Sequence, residues 1–277
     1  MTVEFFCPRW GAEQIPWEPF LKDVKSAGYK GVEWFPNSES IDINEVLILL
    51  KKYDLQLCIV MTVVGEYPDF EGYLKLLKIQ LSNLSKIGND EIRPLFITAQ
   101  VGREYFSFQQ IISCIECCNE ISATFNIPIY QETHRNKWAF AAHILQPILK
   151  HNLSVMITLD VSHWFCVSES YLEDQQDAVA LAITRTRHVH ARIGHTQSAQ
   201  VPDPSLPQYQ AALNEHLKIW DQWINERKLA GADRCTITTE FGPPPYLTVL
   251  NNNVSPQLQQ WNHNIWMKNL LHDRYNL

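Results

Sequence analysis

The stretch VMITLDVSHW, residues 155–164, runs from apolar and β-branched residues into Asp160, with His163 three places later. A short apolar run of this kind reads as a buried strand. A strand that needed only stability would end in turn residues. Here a carboxylate and an imidazole stand where the chain leaves a core. Working outward, seven further runs share the pattern: VEFF (3–6), GVEWF (31–35), LQLCIVM (55–61), IRPLFIT (92–98), IPIYQE (127–132), RHVHAR (187–192) and CTITTE (235–240). Helical patterns separate them. Eight strand–helix alternations in 277 residues predict a parallel sheet with helical crossovers, and the count and size fit a closed (β/α)8 barrel spanning 1–277 as one domain. An open doubly wound sheet is the alternative. Its Gly-rich first turn is missing, since CPRWGAEQ (7–14) holds a single glycine.

The helical segments carry apolar residues at helical spacing, as in WEPFLKDVKSAGY (17–29) with Phe20, Leu21, Val24 and Ala27. INEVLILLKKYD (43–54) follows Asp42, a predicted N-cap. FEGYLKLLKIQLSNLSKIG (70–88) ends at Gly88, and WAFAAHILQPILKHN (138–152) carries Pro147 as an expected kink. Cys114, Cys117 and Cys118 lie on another helix and lack metal partners at the usual spacing. They read as buried, reduced thiols, which suits a cytoplasmic protein.

Composition narrows the class. The chain is 45% hydrophobic and 19% charged, with a formal net charge of −7. No basic stripe is present, so a nucleic-acid partner is not expected. No run of about 18 apolar residues suggests a membrane span. The N-terminus MTVEFFCPRW contains Glu4 and Arg9 and does not read as a signal peptide.

In a (β/α)8 barrel, active-site groups come from the C-terminal ends of the strands. Four successive ends carry ligand-type side chains. The fifth ends at Glu132, followed by His134 and Arg135. The sixth ends at Asp160, with His163 reaching the same cavity from the loop. The seventh carries His188, His190 and Arg192 on one face, and the eighth ends at Glu240. Glu132, Asp160, one strand-seven histidine and Glu240 are therefore expected to converge. Three carboxylates would repel one another there unless a divalent cation joined them. Oxygen ligands with one imidazole suit Mn²⁺, Mg²⁺ or Co²⁺, and less well Zn²⁺.

QETHR (131–135), LDVSHW (159–164), HVHARIGH (188–195) and TEFGPPPY (239–246), in this order and spacing, resemble the xylose isomerase-like TIM barrels, the sugar phosphate isomerase/epimerase family. GYKGVEWFP (28–36), with Glu33, looks like that group's second-strand motif. The resemblance covers essentially the whole chain. It implies one divalent metal held by Glu132, Asp160, His190 and Glu240. It also implies that His163 contacts substrate hydroxyls, that Arg192 stands near the family's substrate-binding arginine, and that the two glutamates move the proton. Xylose isomerase proper uses a second metal and a lysine. Lys137 lies past the strand end, so proton transfer is expected rather than a hydride shift. The endonuclease IV branch holds three zinc ions with several more histidines, most of which this chain lacks.

The expected activity is metal-dependent isomerisation or epimerisation of a sugar or related hydroxy-carbonyl compound, by proton abstraction next to the carbonyl through an enediolate. A keto-polyol dehydratase, an endonuclease and a non-catalytic sugar-binding protein are the alternatives. His134, Arg135, His163, Arg192 and His195 are candidates for binding substrate hydroxyls. Trp10, Trp34 and Trp164 are candidates for an apolar wall or for core packing. GHTQSAQVPDPSLPQ (194–208) reads as a lid or a rigid connection. Three prolines in FGPPPY remove backbone donors, which favours a free sugar or polyol over a phosphorylated one. A homo-oligomer is compatible with the pattern.

Overall fold

A computed structural model describes residues 1–152, 154–250 and 253–276. Eight parallel strands close into a barrel in sequence order. They are β1 (Thr2–Pro8), β2 (Gly31–Trp34), β3 (Gln56–Thr62), β4 (Ile97–Gln100), β5 (Ile129–Glu132), β6 (Ile157–Leu159), β7 (Thr186–His190) and β8 (Arg234–Thr238). The helices around them are α1 (Trp17–Ser26), α2 (Ile43–Lys52), α3 (Phe70–Leu84), α4 (Phe108–Phe125), α5 (Ala142–His151), α6 (Val161–Ser168), α7 (Gln176–Arg185), α8 (Gln210–Leu229) and α9 (Pro256–Tyr275). Among the described residues, no helix is long and apolar enough to cross a membrane.

Each helix turns its apolar stripe onto the outside of the barrel. Leu21 and Val24 of α1, Leu47 and Leu50 of α2, and Trp220 and Trp223 of α8 are buried against Val32, Leu57 and Ile237 of the sheet. Asp42 caps α2 as predicted, accepting from Asn44 N at 2.9 Å. Pro147 lies inside α5 without ending it. Cys114, Cys117 and Cys118 are buried and free on α4, and burial pushes the Cys118 thiol up to about 12.

Inside the barrel the residues form tiers. Phe6, Cys58 and Phe96 make the lower plug, with Tyr130 packed on them. His188 lies on this plug, 4.7 Å from Phe96 between ring centroids. Its Nδ1 meets Thr236 Oγ1 at 2.8 Å and its Nε2 meets Thr238 Oγ1 at 3.1 Å. Thr98 Oγ1 bonds Glu33 Oε1 at 3.1 Å and pairs with Thr158 Oγ1 at 3.0 Å. Above this polar tier the strands end in ionisable groups. Register sets the heights: Glu132 pairs with Thr158, and His190 pairs with Thr238.

Two local readings differ from expectation. Arg93 and Pro94 lie outside β4, which begins only at Ile97. VSHW is not a loop but the first turn of α6, because Asp160 acts as its N-cap, with Oδ1 accepting from Ser162 N at 3.0 Å. His163 therefore stands on a helix, and it is fully buried.

The β7–α8 connection is tied down. Gln200 is buried, and its Oε1 accepts from Gly242 N at 2.8 Å while its Nε2 donates to Gly242 O at 3.3 Å. His216 of α8 donates from Nδ1 to Ala212 O at 2.9 Å and accepts from Gly194 N at 3.4 Å. Burial holds its pKa down to about 4. The unfolded chain protonates this imidazole near its ordinary value, about 6.5. Its contribution is thus present above that pH and is lost as pH falls toward 4, on the order of 3 kcal/mol. Thermal melts between pH 7 and 4.5 should show Tm falling with acid. His216→Gln, which keeps both contacts, should flatten the slope without abolishing it, because His134 and His163 are held down in the same way. An unchanged slope in the variant would contradict this assignment.

Candidate active site and metal centre

Glu132, Asp160, His190 and Glu240 meet at the C-terminal mouth of the barrel. One ligand atom from each lies within 4.8 Å of the others, and all four side chains are buried. Glu132 ends β5, His190 ends β7, and Asp160 and Glu240 stand just beyond β6 and β8. The two oxygens of Glu132 and Oε2 of Glu240 have no hydrogen-bond partner among the described residues. Buried carboxylate oxygens left in this state are costly. A divalent cation satisfies them together, and the donor set of three carboxylates and one imidazole suits it.

His190 is oriented from both sides. Its Nε2 lies 2.9 Å from Glu33 Oε2, and its Nδ1 lies 3.0 Å from Glu240 Oε2 and 3.5 Å from Glu132 Oε1. Nδ1 thus faces the carboxylate cluster and Nε2 faces Glu33. Burial disfavours charge on His190, but Glu240, Glu33 and Glu132 raise its pKa well above the usual imidazole range. Burial would raise Glu33, yet His190 and His188 bring it down to about 2. Burial, with Glu240 and Asp160 adding to it, pushes Glu132 up to about 7 against the pull of His190. Glu33→Gln is expected to weaken divalent-metal binding by about 10–100-fold. Calorimetric titration with Mn²⁺ checks this, and unchanged affinity would remove Glu33 from the role.

Arg192 pairs with Asp160 Oδ2 in a short contact and lies 3.7 Å from Glu240 Oε2. It also lies 2.8 Å, from Nη2, from His163 Nε2. Arginine only donates, so His163 accepts at Nε2 and carries its proton on Nδ1. Burial, with His134 and Arg192 nearby, keeps this imidazole neutral. His163 Nδ1 is buried without a partner among the described residues. His134 packs on His163 with ring centroids 4.0 Å apart.

Glu240, Arg192 and His134 line a cavity of about 390 Å³. Trp10, Phe35, Met61 and Tyr246 also line it, as do Arg9, Glu13 and Thr62. Arg135 borders it through Tyr246, whose ring lies 4.9 Å from the Arg135 guanidinium and 4.8 Å from that of Arg192. His195 is not among the lining residues; it stacks on Tyr209 at 5.8 Å. Trp10 reaches the cavity because Gly242 has no side chain, since a Cβ there would meet the indole at 2.2 Å. Trp34 and Trp164 are core residues, bonded to Glu39 Oε1 and Ala139 O. The sequence patterns did not single out Arg9, Glu13, Glu39 and Tyr246. Arg9 and Glu39 are 30 residues apart and meet only in the folded chain.

No family model matches the sequence, and no curated protein matches it. Solved structures do match the fold. D-psicose 3-epimerase from Clostridium cellulolyticum H10, with D-tagatose, is 12% identical, with 98% of each chain covered and a TM-score of 0.64. 3-Keto-D-glucoside 4-epimerase from E. coli is 13% identical, covering 97% of this chain and 100% of that one, with a TM-score of 0.63. A xylose isomerase-like TIM barrel protein from Mycobacterium smegmatis, in complex with magnesium, is 13% identical, covering 96% of this chain and 95% of that one, with a TM-score of 0.59. The matches also include a probable 3-DHS dehydratase and AP endonucleases. The chain is built as the xylose isomerase-like TIM barrels are.

Proposed function

We propose that the chain is a metal-dependent isomerase or epimerase of sugars or related hydroxy-carbonyl compounds, acting by proton transfer next to the carbonyl. The observation that carries this reading is the pair of buried glutamates, Glu132 and Glu240, that share one cluster at the barrel mouth and have oxygens without partners among the described residues, with Glu240 also lining the cavity. Glu132, Asp160, His190 and Glu240 would hold one divalent cation, Mn²⁺, Mg²⁺, Co²⁺ or Zn²⁺, which would supply positive charge beside a substrate carbonyl.

The chain's own groups do the rest. One carboxylate of the Glu132–Glu240 pair removes the proton, and the other returns one, from the opposite side for epimerisation. His163 presents Nδ1–H to a substrate oxygen, and Arg192 fixes that tautomer while neutralising Asp160. Trp10 and Tyr246 keep water from the reacting carbons.

The test is incubation of the Mn²⁺-loaded protein with a panel of ketoses and aldoses in deuterated water. Deuterium at a carbon next to the carbonyl, with a new epimer or isomer, supports the reading. Exchange accompanied by loss of water would assign a dehydratase instead. No exchange into any member would overturn the proposal.

A further inference from the structure

We infer that the part of the cavity lined by Arg9 and Glu13 is a subsite for an uncharged, hydroxyl-bearing end of the substrate, with Arg9 as donor and Glu13 as acceptor. The inference deepens the reading of the chain as a sugar enzyme and rests on it.

Arg9 follows β1 and is 1% exposed. Its Nε and Nη2 donate to the two oxygens of Glu39, at 3.1 and 2.8 Å. Nη2 also donates to Ile15 O at 2.8 Å and to Glu13 O at 3.3 Å. The guanidinium packs on Trp17 at 4.5 Å and Phe20 at 4.8 Å. Four of its contacts are therefore fixed by protein, and the group cannot swing away. Nη1 alone is buried with no partner, although Arg9 lines the cavity. A buried donor left unmet is costly, so Nη1 is the nitrogen available to whatever fills this part of the cavity.

Glu13 lines the same cavity. Its Oε2 accepts from Gly11 N at 2.9 Å, and Oε1 takes no hydrogen bond among the described residues. A donor and an acceptor lining one cavity match a hydroxyl, which offers both functions. They do not match a phosphate or a carboxylate, which only accept at neutral pH. Charge points the same way. The Arg9 cation is spent on Glu39, and Glu13 adds a second carboxylate, so an anion here would meet net negative charge in a water-poor space. Lys137 reaches this wall only through Thr62, to which its Nζ donates at 2.6 Å. Trp10 and Phe35 give the apolar surface that the C–H face of a sugar covers.

The experiment is an NMR titration of the Mn²⁺-loaded full chain with D-fructose, 6-deoxy-D-fructose and D-fructose 6-phosphate. D-fructose is expected to bind, with the deoxy sugar weaker by about tenfold or more and the phosphate weaker still. Glu13→Gln is expected to weaken D-fructose and to narrow the gap to the phosphate. This variant leaves the Arg9 contacts in place, whereas Arg9→Gln would remove contacts that hold the loop. Equal affinity for the deoxy sugar, tighter binding of the phosphate, or no binding of any of the three would overturn the subsite. Binding in the expected order without deuterium exchange would overturn the catalytic reading and leave the subsite standing.

Discussion

Glu132→Gln is expected to lower kcat for proton exchange by about 10²–10⁴-fold, the usual contribution of a positioned acid–base group. Glutamine keeps the shape of the side chain but neither accepts a substrate proton nor carries charge. The fold should survive, because Glu132 spends no oxygen on a hydrogen bond among the described residues. In the metal-free chain the variant should even melt higher, since burial and the neighbouring Glu240 and Asp160 all disfavour a carboxylate there. Glu240→Gln should lose turnover to a similar degree, for the same reason at the other side of the cluster. The measurement is deuterium incorporation rate alongside a thermal melt. Full activity in both variants would remove the glutamates from the mechanism.

Arg192→Met should produce the largest stability effect. Arg192 and Asp160 are both buried, and Arg192 supplies the cation that pairs with Asp160 Oδ2. Deleting one partner of such a pair leaves an uncompensated charge and costs about 3–5 kcal/mol. His163 also loses the donor that fixes its tautomer. In the metal-stripped chain, denaturant unfolding should show this loss. Saturating Mn²⁺ should return much of it, because a divalent cation beside Asp160 and Glu240 replaces the missing charge. A variant as stable as the parent without metal would show that the pair contributes nothing net.

The barrel was legible because its strands are short apolar runs separated by helical patterns, and parallel strands buried on both faces read that way. The convergence of Glu132, Asp160 and Glu240 was legible for a related reason. In this topology each strand's C-terminal end faces the same mouth, so a carboxylate at each end needs no long-range information to be placed. Choosing His190 over His188 required the family resemblance. In the structure His188 lies one tier lower, with both ring nitrogens on threonine hydroxyls. Helix α6 was hidden because its N-cap is Asp160 itself, the residue read as a strand-end carboxylate, so one residue carried two signals. Glu33 was seen as a motif without a role, since its partner His190 lies far along the chain. Arg9, Glu13 and Tyr246 sit in loops without periodicity, where pattern reading has nothing to hold. The 194–208 connection illustrates the same limit: Gln200 pins it to Gly242, a contact that composition does not announce.

Titration of the metal-stripped protein with Mn²⁺, counted by electron paramagnetic resonance, bears most directly on the whole account. It should show one tight site per chain, lost in His190→Ala and in Asp160→Ala. No tight site, or a site untouched by both substitutions, would contradict a single cation held at the barrel mouth.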